Sequence, residues 1–153
     1  MEQINFNKQE IESIFEQAEK VLLDKNNITH IVYSNNSVDS FDNNNQSLLN
    51  TLKNCSIVYC LWVGKTKTKL KPIYVGHASH IIARQRIRNH LGKKNIKTGA
   101  KLDNVKSELE KENYIGISML KIHPDYMRKS LEEWIIDKHS EILEWNQVGK
   151  RKS

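Results

Sequence analysis

The apolar positions change period several times along the chain, and each change marks an element. Within residues 8–24, Ile11, Ile14, Phe15, Ala18, Val21 and Leu22 recur at three- and four-residue spacing, which predicts an amphipathic helix. Residues 28–33 predict a short strand. Residues 35–46 hold five Asn together with Ser and Asp, a composition that predicts a polar loop, and 48–52 predict one or two helical turns. From 57 to 63 the run is continuously β-prone, and after Pro72 a second, shorter run covers 73–75. A basic connection, 64–71, joins them, so a hairpin with a cationic tip is expected. Its Gly64-Lys65-Thr66 is not a phosphate-binding Walker loop, because that motif needs a glycine where Tyr59 stands.

Beyond the hairpin, Ser79 is the expected N-cap of a helix that Gly92 ends after Leu91, and Asp103 that of a short helix to about Lys111. Residues 114–122 predict a third strand. Pro124 and Asp125 open the longest helix, expected to run to about Trp145. The order strand, strand, helix, helix, strand, helix implies an α+β fold with a three-stranded, mainly antiparallel sheet flanked by helices. Residues 1–54 are expected to form an acidic N-terminal extension and 55–153 the main domain. A chain of 153 residues suits one core.

Charge sharpens this division. The first 54 residues carry four Lys against eight acids, whereas 55–153 carry twenty Lys or Arg against ten acids. Within 65–106 there are twelve basic residues, and Asp103 is the sole acid. Clustered cations that span several elements bind polyanions by releasing counterions, so a nucleic-acid partner is expected. No apolar run approaches the roughly 20 residues of a membrane helix, and the polar first ten residues carry no secretory core, which points to the cytoplasm. Cys55 and Cys60, the only cysteines, are expected to be free thiols.

Chemistry-bearing side chains fall at defined places on these elements. Tyr59 and Tyr74 lie on the two hairpin strands, and Arg84, Arg86 and Arg88 on the helix that follows. At about 100° per residue, Arg86 and His90 share a helix face beside Ala83 and Ile87, while Arg88 points away toward solvent or phosphate. On the last helix Met127, Leu131, Trp134, Ile135 and Ile142 form an apolar stripe. Glu132 lies roughly 90° from the centre of that stripe and Glu133 nearly opposite it. A carboxylate at the margin of a buried face can be aimed into a cleft; one opposite it is solvated.

Taken in order, Ile57-Val58-Tyr59, Tyr74-Val75-Gly76, Arg86-Ile87 with His90, Glu132 with Ile136, and Trp145-Asn146 resemble the GIY-YIG nuclease family. The first glycine is replaced by Ile57 and the hairpin connection is long, departures that remove no functional group. The resemblance implies a metal-dependent DNA endonuclease of restriction or phage and mobile-element type. Glu132 would hold Mg²⁺ or Mn²⁺, hard cations suited to carboxylate, water and phosphate oxygens. Arg86 would grip the scissile phosphate through its fork of donors. Tyr59 resembles the general base; a phenol, with an ordinary pKa near 10, needs nearby positive charge for that role. Tyr74 and His90 would position water or assist proton transfer, and Asn146 would brace the site. Lys65, Lys67, Lys69, Lys71, His77, Arg84, Arg88, Lys93 and Lys94 are the candidate nucleic-acid contacts, and Lys150-Arg151-Lys152 a candidate phosphate-binding arm. A double-strand cut would call for a homodimer or two visits, with the acidic N-terminal helix a candidate interface. The alternatives are a non-catalytic nucleic-acid-binding protein on the same fold, a repair-type structure-specific nuclease, or a basic protein-interaction domain.

Overall fold

The central strand is buried on both faces, and this explains the unbroken apolar run that encodes it. In the computed structural model, which describes residues 1–93 and 100–149, β2 (Ile57–Gly64) pairs antiparallel with β3 (Lys71–Ala78) on one side and with β4 (Tyr114–Lys121) on the other. Alternate side chains of β2 enter two cores. Ile57, Tyr59 and Leu61 face one, Val58, Cys60 and Trp62 the other. A half-buried strand alternates apolar and polar positions; one covered on both sides has no polar face to alternate with.

The sheet has four strands among the described residues, in the order β1-β4-β2-β3, and every pairing is antiparallel. The fourth strand is β1 (Thr29–His30), which adds to the outer edge of β4. The expectation of three strands is therefore corrected by one short strand from the N-terminal segment. Its reach is limited because Val32 is captured instead by a side chain: Asn45 Oδ1 accepts the Val32 N–H and Asn45 Nδ2 donates to the Val32 carbonyl, both at 2.9 Å.

Helices cover both faces. On one lie α2 (Phe41–Asn44), α3 (Gln46–Thr51), α4 (Ala83–Leu91) and α5 (Leu102–Glu110), whose buried residues join Tyr59 and Leu61. On the other lie α1 (Lys8–Leu22) and α6 (Met127–Lys138), which bring Phe15, Leu22, Leu131 and Ile135 against Val58, Cys60 and Trp62. Residues 1–54 thus contribute to both cores. The Asn-rich stretch is more ordered than its composition suggests, since Phe41 is fully buried and packs where a side chain at Gly92 would stand. None of the described helices is long and apolar enough to cross a membrane.

Several boundaries differ from those read in the chain: α6 begins at Met127 rather than at Pro124 and Asp125, and with 12 residues it is shorter than α1, with 15. Helix α4 begins at Ala83, because the Ser79 carbonyl accepts the Ile82 and Ala83 N–H groups in a preceding turn and the Ser79 side chain makes no cap. Lys101, not Asp103, occupies the N-cap of α5, which places Asp103 in the first turn, where its charge suits the helix dipole. Helix α6 stops at Lys138. Lys138 and His139 reach Glu19 of α1 at 3.0 and 3.4 Å, and the chain then turns to bury Leu143 before a 3₁₀ segment, Glu144–Gly149.

Candidate active site at the edge of the sheet

Strand β3 is the open edge, and the chemistry-bearing side chains gather around it. An irregularity in the β2–β3 ladder between Leu61 and Trp62 sets the register beyond it, pairing Tyr74 with Leu61 and Gly76 with Tyr59. Paired residues share a face, so Tyr59, Tyr74 and Gly76 all look toward α4. Gly76 is required by its neighbour: a Cβ there would lie 2.4 Å from Tyr59 Oη and 2.5 Å from Cζ. The missing side chain is the space the phenol occupies.

From α4, His90 and Arg86 project into the same region. Tyr59 Oη lies 2.6 Å from His90 Nε2, and the rings of Tyr59, Tyr74 and His90 form a triangle with centroid separations of 6.2, 5.6 and 5.2 Å. Arg86 is half-buried, and its charge lies close to both phenols. Tyr59 and His90 are completely enclosed, whereas Tyr74 retains a little exposure. Burial pushes both phenols above their ordinary pKa, Tyr59 most strongly, and the Arg86 charge pulls each part of the way back. Burial, with Arg86 and Lys101 nearby, lowers His90 to about 3, so its imidazole is neutral at pH 7.

The carboxylate arrives from the opposite face. Glu132 on α6 sits at the margin of the buried stripe, half-buried, and Glu133 is exposed, as the helix wheel requires. Its Oε2 lies 3.7 Å from His77 Nε2. Burial raises the Glu132 carboxyl to about 7; the Arg86 charge and the His77 backbone N–H oppose this, and Glu133 adds to it. Glu132 is a half-buried hard oxygen donor, and a divalent cation with water and phosphate oxygens as its other ligands fits it. No group of three or more His, Cys, Asp and Glu occurs among the described residues, so the donor set there is one carboxylate with His77 beside it.

Asn146 closes the edge. Its Oδ1 accepts the Val75 N–H and its Nδ2 donates to the Val75 carbonyl, both at 2.9 Å, so a side-chain amide pairs with β3 as another strand would. At the base of the site Asp125 accepts a short hydrogen bond from Ser56 and pairs with Arg128 at 2.6 Å, while Ser56 Oγ accepts the His80 N–H. This ties the start of α6 to the loop before α4, and hence the two halves of the site to each other.

The other candidate contacts are dispersed. Lys65, Lys67 and Lys69 stand exposed in the hairpin connection. That tip begins five residues along β2 from Tyr59, roughly 17 Å away. Lys67 lies 5.9 Å from the Tyr114 ring, and Lys71 is exposed at the start of β3. Arg84 and Lys93 are exposed near the site. Arg88, expected to face solvent or phosphate, is gripped by Asp42 of α2 through Nε at 3.1 Å and Nη2 at 2.7 Å. Lys94 and Lys150-Arg151-Lys152 lie outside the described residues. Missing from the sequence reading is Lys101, whose backbone N–H donates to His90 Nδ1 at 3.0 Å and whose ammonium lies 5.6 Å from the Tyr74 ring centre. Only its place in the basic stretch could have marked it.

Comparison with family models, with curated proteins and with solved structures yields no match.

Proposed function

We propose that the chain is a metal-dependent DNA endonuclease with a GIY-YIG-type site, acting in the cytoplasm as a restriction or phage and mobile-element nuclease. The observation that carries this reading is the convergence of Tyr59, Tyr74, Arg86 and His90 from one face of the sheet with Glu132 from the other, around the edge of β3. These residues are dispersed in sequence, and packing alone gives no reason to bring a half-buried carboxylate beside an arginine and two phenols.

Phosphodiester hydrolysis needs an activated water, neutralised charge on the phosphorane and a stabilised leaving oxygen. Mg²⁺ or Mn²⁺ bound by Glu132 would supply Lewis-acid chemistry to phosphate and water. Arg86, charged and close to both phenols, would offer its N–H groups to a phosphate oxygen. Full enclosure sets Tyr59 behind Tyr74, so the phenol that meets an attacking water is Tyr74, with Tyr59 the second in line. Tyr59 as the direct base is disfavoured by its complete burial. Arg84 and Lys93 would hold flanking phosphates, and the lysines of the hairpin tip would reach DNA further out. A homodimer cutting both strands would use α1, whose outer side leaves Ile14 and Val21 exposed.

The test is plasmid and single-strand cleavage with Mg²⁺ or Mn²⁺, comparing wild type with Glu132→Ala, Glu133→Ala and Tyr59→Phe. Cleavage by wild type and Glu133→Ala, and its loss in Glu132→Ala, is expected. DNA binding by the wild type without metal-dependent cutting would sink the nuclease reading.

A further inference from the structure

His90 is fully buried, and both of its ring nitrogens are engaged. On one side Nδ1 receives the backbone N–H of Lys101 at 3.0 Å. A backbone N–H can only donate, so Nδ1 must be the bare nitrogen. A neutral imidazole with a bare Nδ1 carries its proton on Nε2, the atom 2.6 Å from Tyr59 Oη. The direction of the second hydrogen bond is fixed by the first.

We propose that Lys101 is a positioning residue of the site, whose backbone amide locks His90 in the Nε2–H tautomer and so makes the imidazole a hydrogen-bond donor to Tyr59. This rests on the nuclease reading only for its catalytic meaning; the tautomer is a property of the fold. With His90 donating, the imidazole cannot take the Tyr59 proton. Tyr59 Oη therefore accepts from His90, in a site where the Arg86 charge also lies close. The arrangement excludes a tyrosine-to-histidine proton relay through Nε2. The Lys101 side chain also reaches the site, its ammonium lying near the Tyr74 ring.

The lock comes from Lys101 at the N-cap of α5. Any change that lifts the start of α5 from α4 would free Nδ1 and, with it, the choice of tautomer. The site is thereby coupled to the packing of α5 on α4, although no side chain of α5 itself touches the reacting atoms.

Long-range ¹H–¹⁵N correlation on histidine-labelled protein at pH 7 reports which ring nitrogen carries the proton. In wild type His90 is expected as the single Nε2–H tautomer; an Nδ1–H tautomer or a doubly protonated ring would overturn the proposal without any variant. Lys101→Ala keeps the amide and should keep the tautomer. Lys101→Pro removes the N–H and should give a mixture or the other tautomer; an unchanged ring in a folded Lys101→Pro would show that the amide does not set it. Tyr59→Phe should leave Nε2–H in place, and a switch there would assign control to Tyr59. The readout needs no cleavage. Absence of nuclease activity with the expected tautomer would sink only the function, and the wrong tautomer in an active enzyme only the lock.

Discussion

Gly76 leaves empty the volume that the Tyr59 phenol fills, with the place of a Cβ only 2.4 Å from Oη. The two residues are register partners on adjacent strands, and the smallness of one is the condition for the placement of the other. Gly76→Ala should therefore displace the phenol from His90. Overpacking of this kind costs about 1–3 kcal/mol. Urea denaturation should show a loss in that range, and metal-dependent cleavage should fall by far more than the stability loss explains. A fully active Gly76→Ala would mean that the Tyr59–His90 contact is dispensable.

Asn146 replaces a missing neighbour strand at Val75. Asn146→Ala leaves a nearly buried N–H and C=O unpaired, at a cost of about 1–3 kcal/mol. Asn146→Asp keeps an acceptor for the N–H but places an oxygen against the carbonyl, so it should be no better than Ala at neutral pH and partly recover in acid. Thermal denaturation across pH reads this difference.

The Glu132 carboxyl is raised from 4.5 to about 7 in the folded chain. A raised acid binds protons more tightly folded than unfolded, so its contribution to stability is full below about pH 4.5 and is lost as pH rises toward 7. His77, lowered from its usual value by burial and neighbouring cations, acts in the opposite direction as pH rises toward 6.5. Comparing wild type with Glu132→Gln isolates the first effect: without divalent ions the variant should overtake wild type in stability as pH rises through this window. Mn²⁺ should then stabilise wild type at pH 7 and leave the variant unmoved.

Arg84 is exposed and Arg88 is held by Asp42, although the two sit on one helix. Removing a phosphate contact lowers the salt slope of DNA binding by about 0.9. Arg84→Ala should show that decrease and Arg88→Ala should not. Arg88→Ala should instead cost up to about 1 kcal/mol of stability, a cost absent when Asp42 is already Ala. Fluorescence anisotropy over a range of salt separates the two.

The elements that position the site were legible in the chain because burial wrote them there. The seven-residue run of β2 is apolar because both faces are covered, and the angular difference between Glu132 and Glu133 on α6 separates a marginal carboxylate from a solvated one. What escaped was written in the backbone or in distant partners. The Lys101 amide has no residue-type signature, since every residue except proline has one. Asn45 does the work of a strand at Val32, and composition reads an Asn only as a loop former; Asn146 was expected at the site, but its pairing with the Val75 backbone has no sequence signature. Lys138 and His139, where α6 ends, pair with Glu19 more than a hundred positions away, and Asp42, which holds Arg88, belongs to a stretch with no visible tie to α4 in the sequence.

Tyr59, Tyr74 and His90 are as much part of the core as Leu61 or Ile87, and Glu132 is not. On the nuclease reading proposed above, a descendant of this chain that lost hydrolysis but kept its shape would still need three rings of these sizes, and selection for folding alone would preserve them. The carboxylate at 132 has no such second employment. Among copies of this fold, the side chain at that one position would tell a working enzyme from a silent one, and the tyrosines that first draw the eye would not.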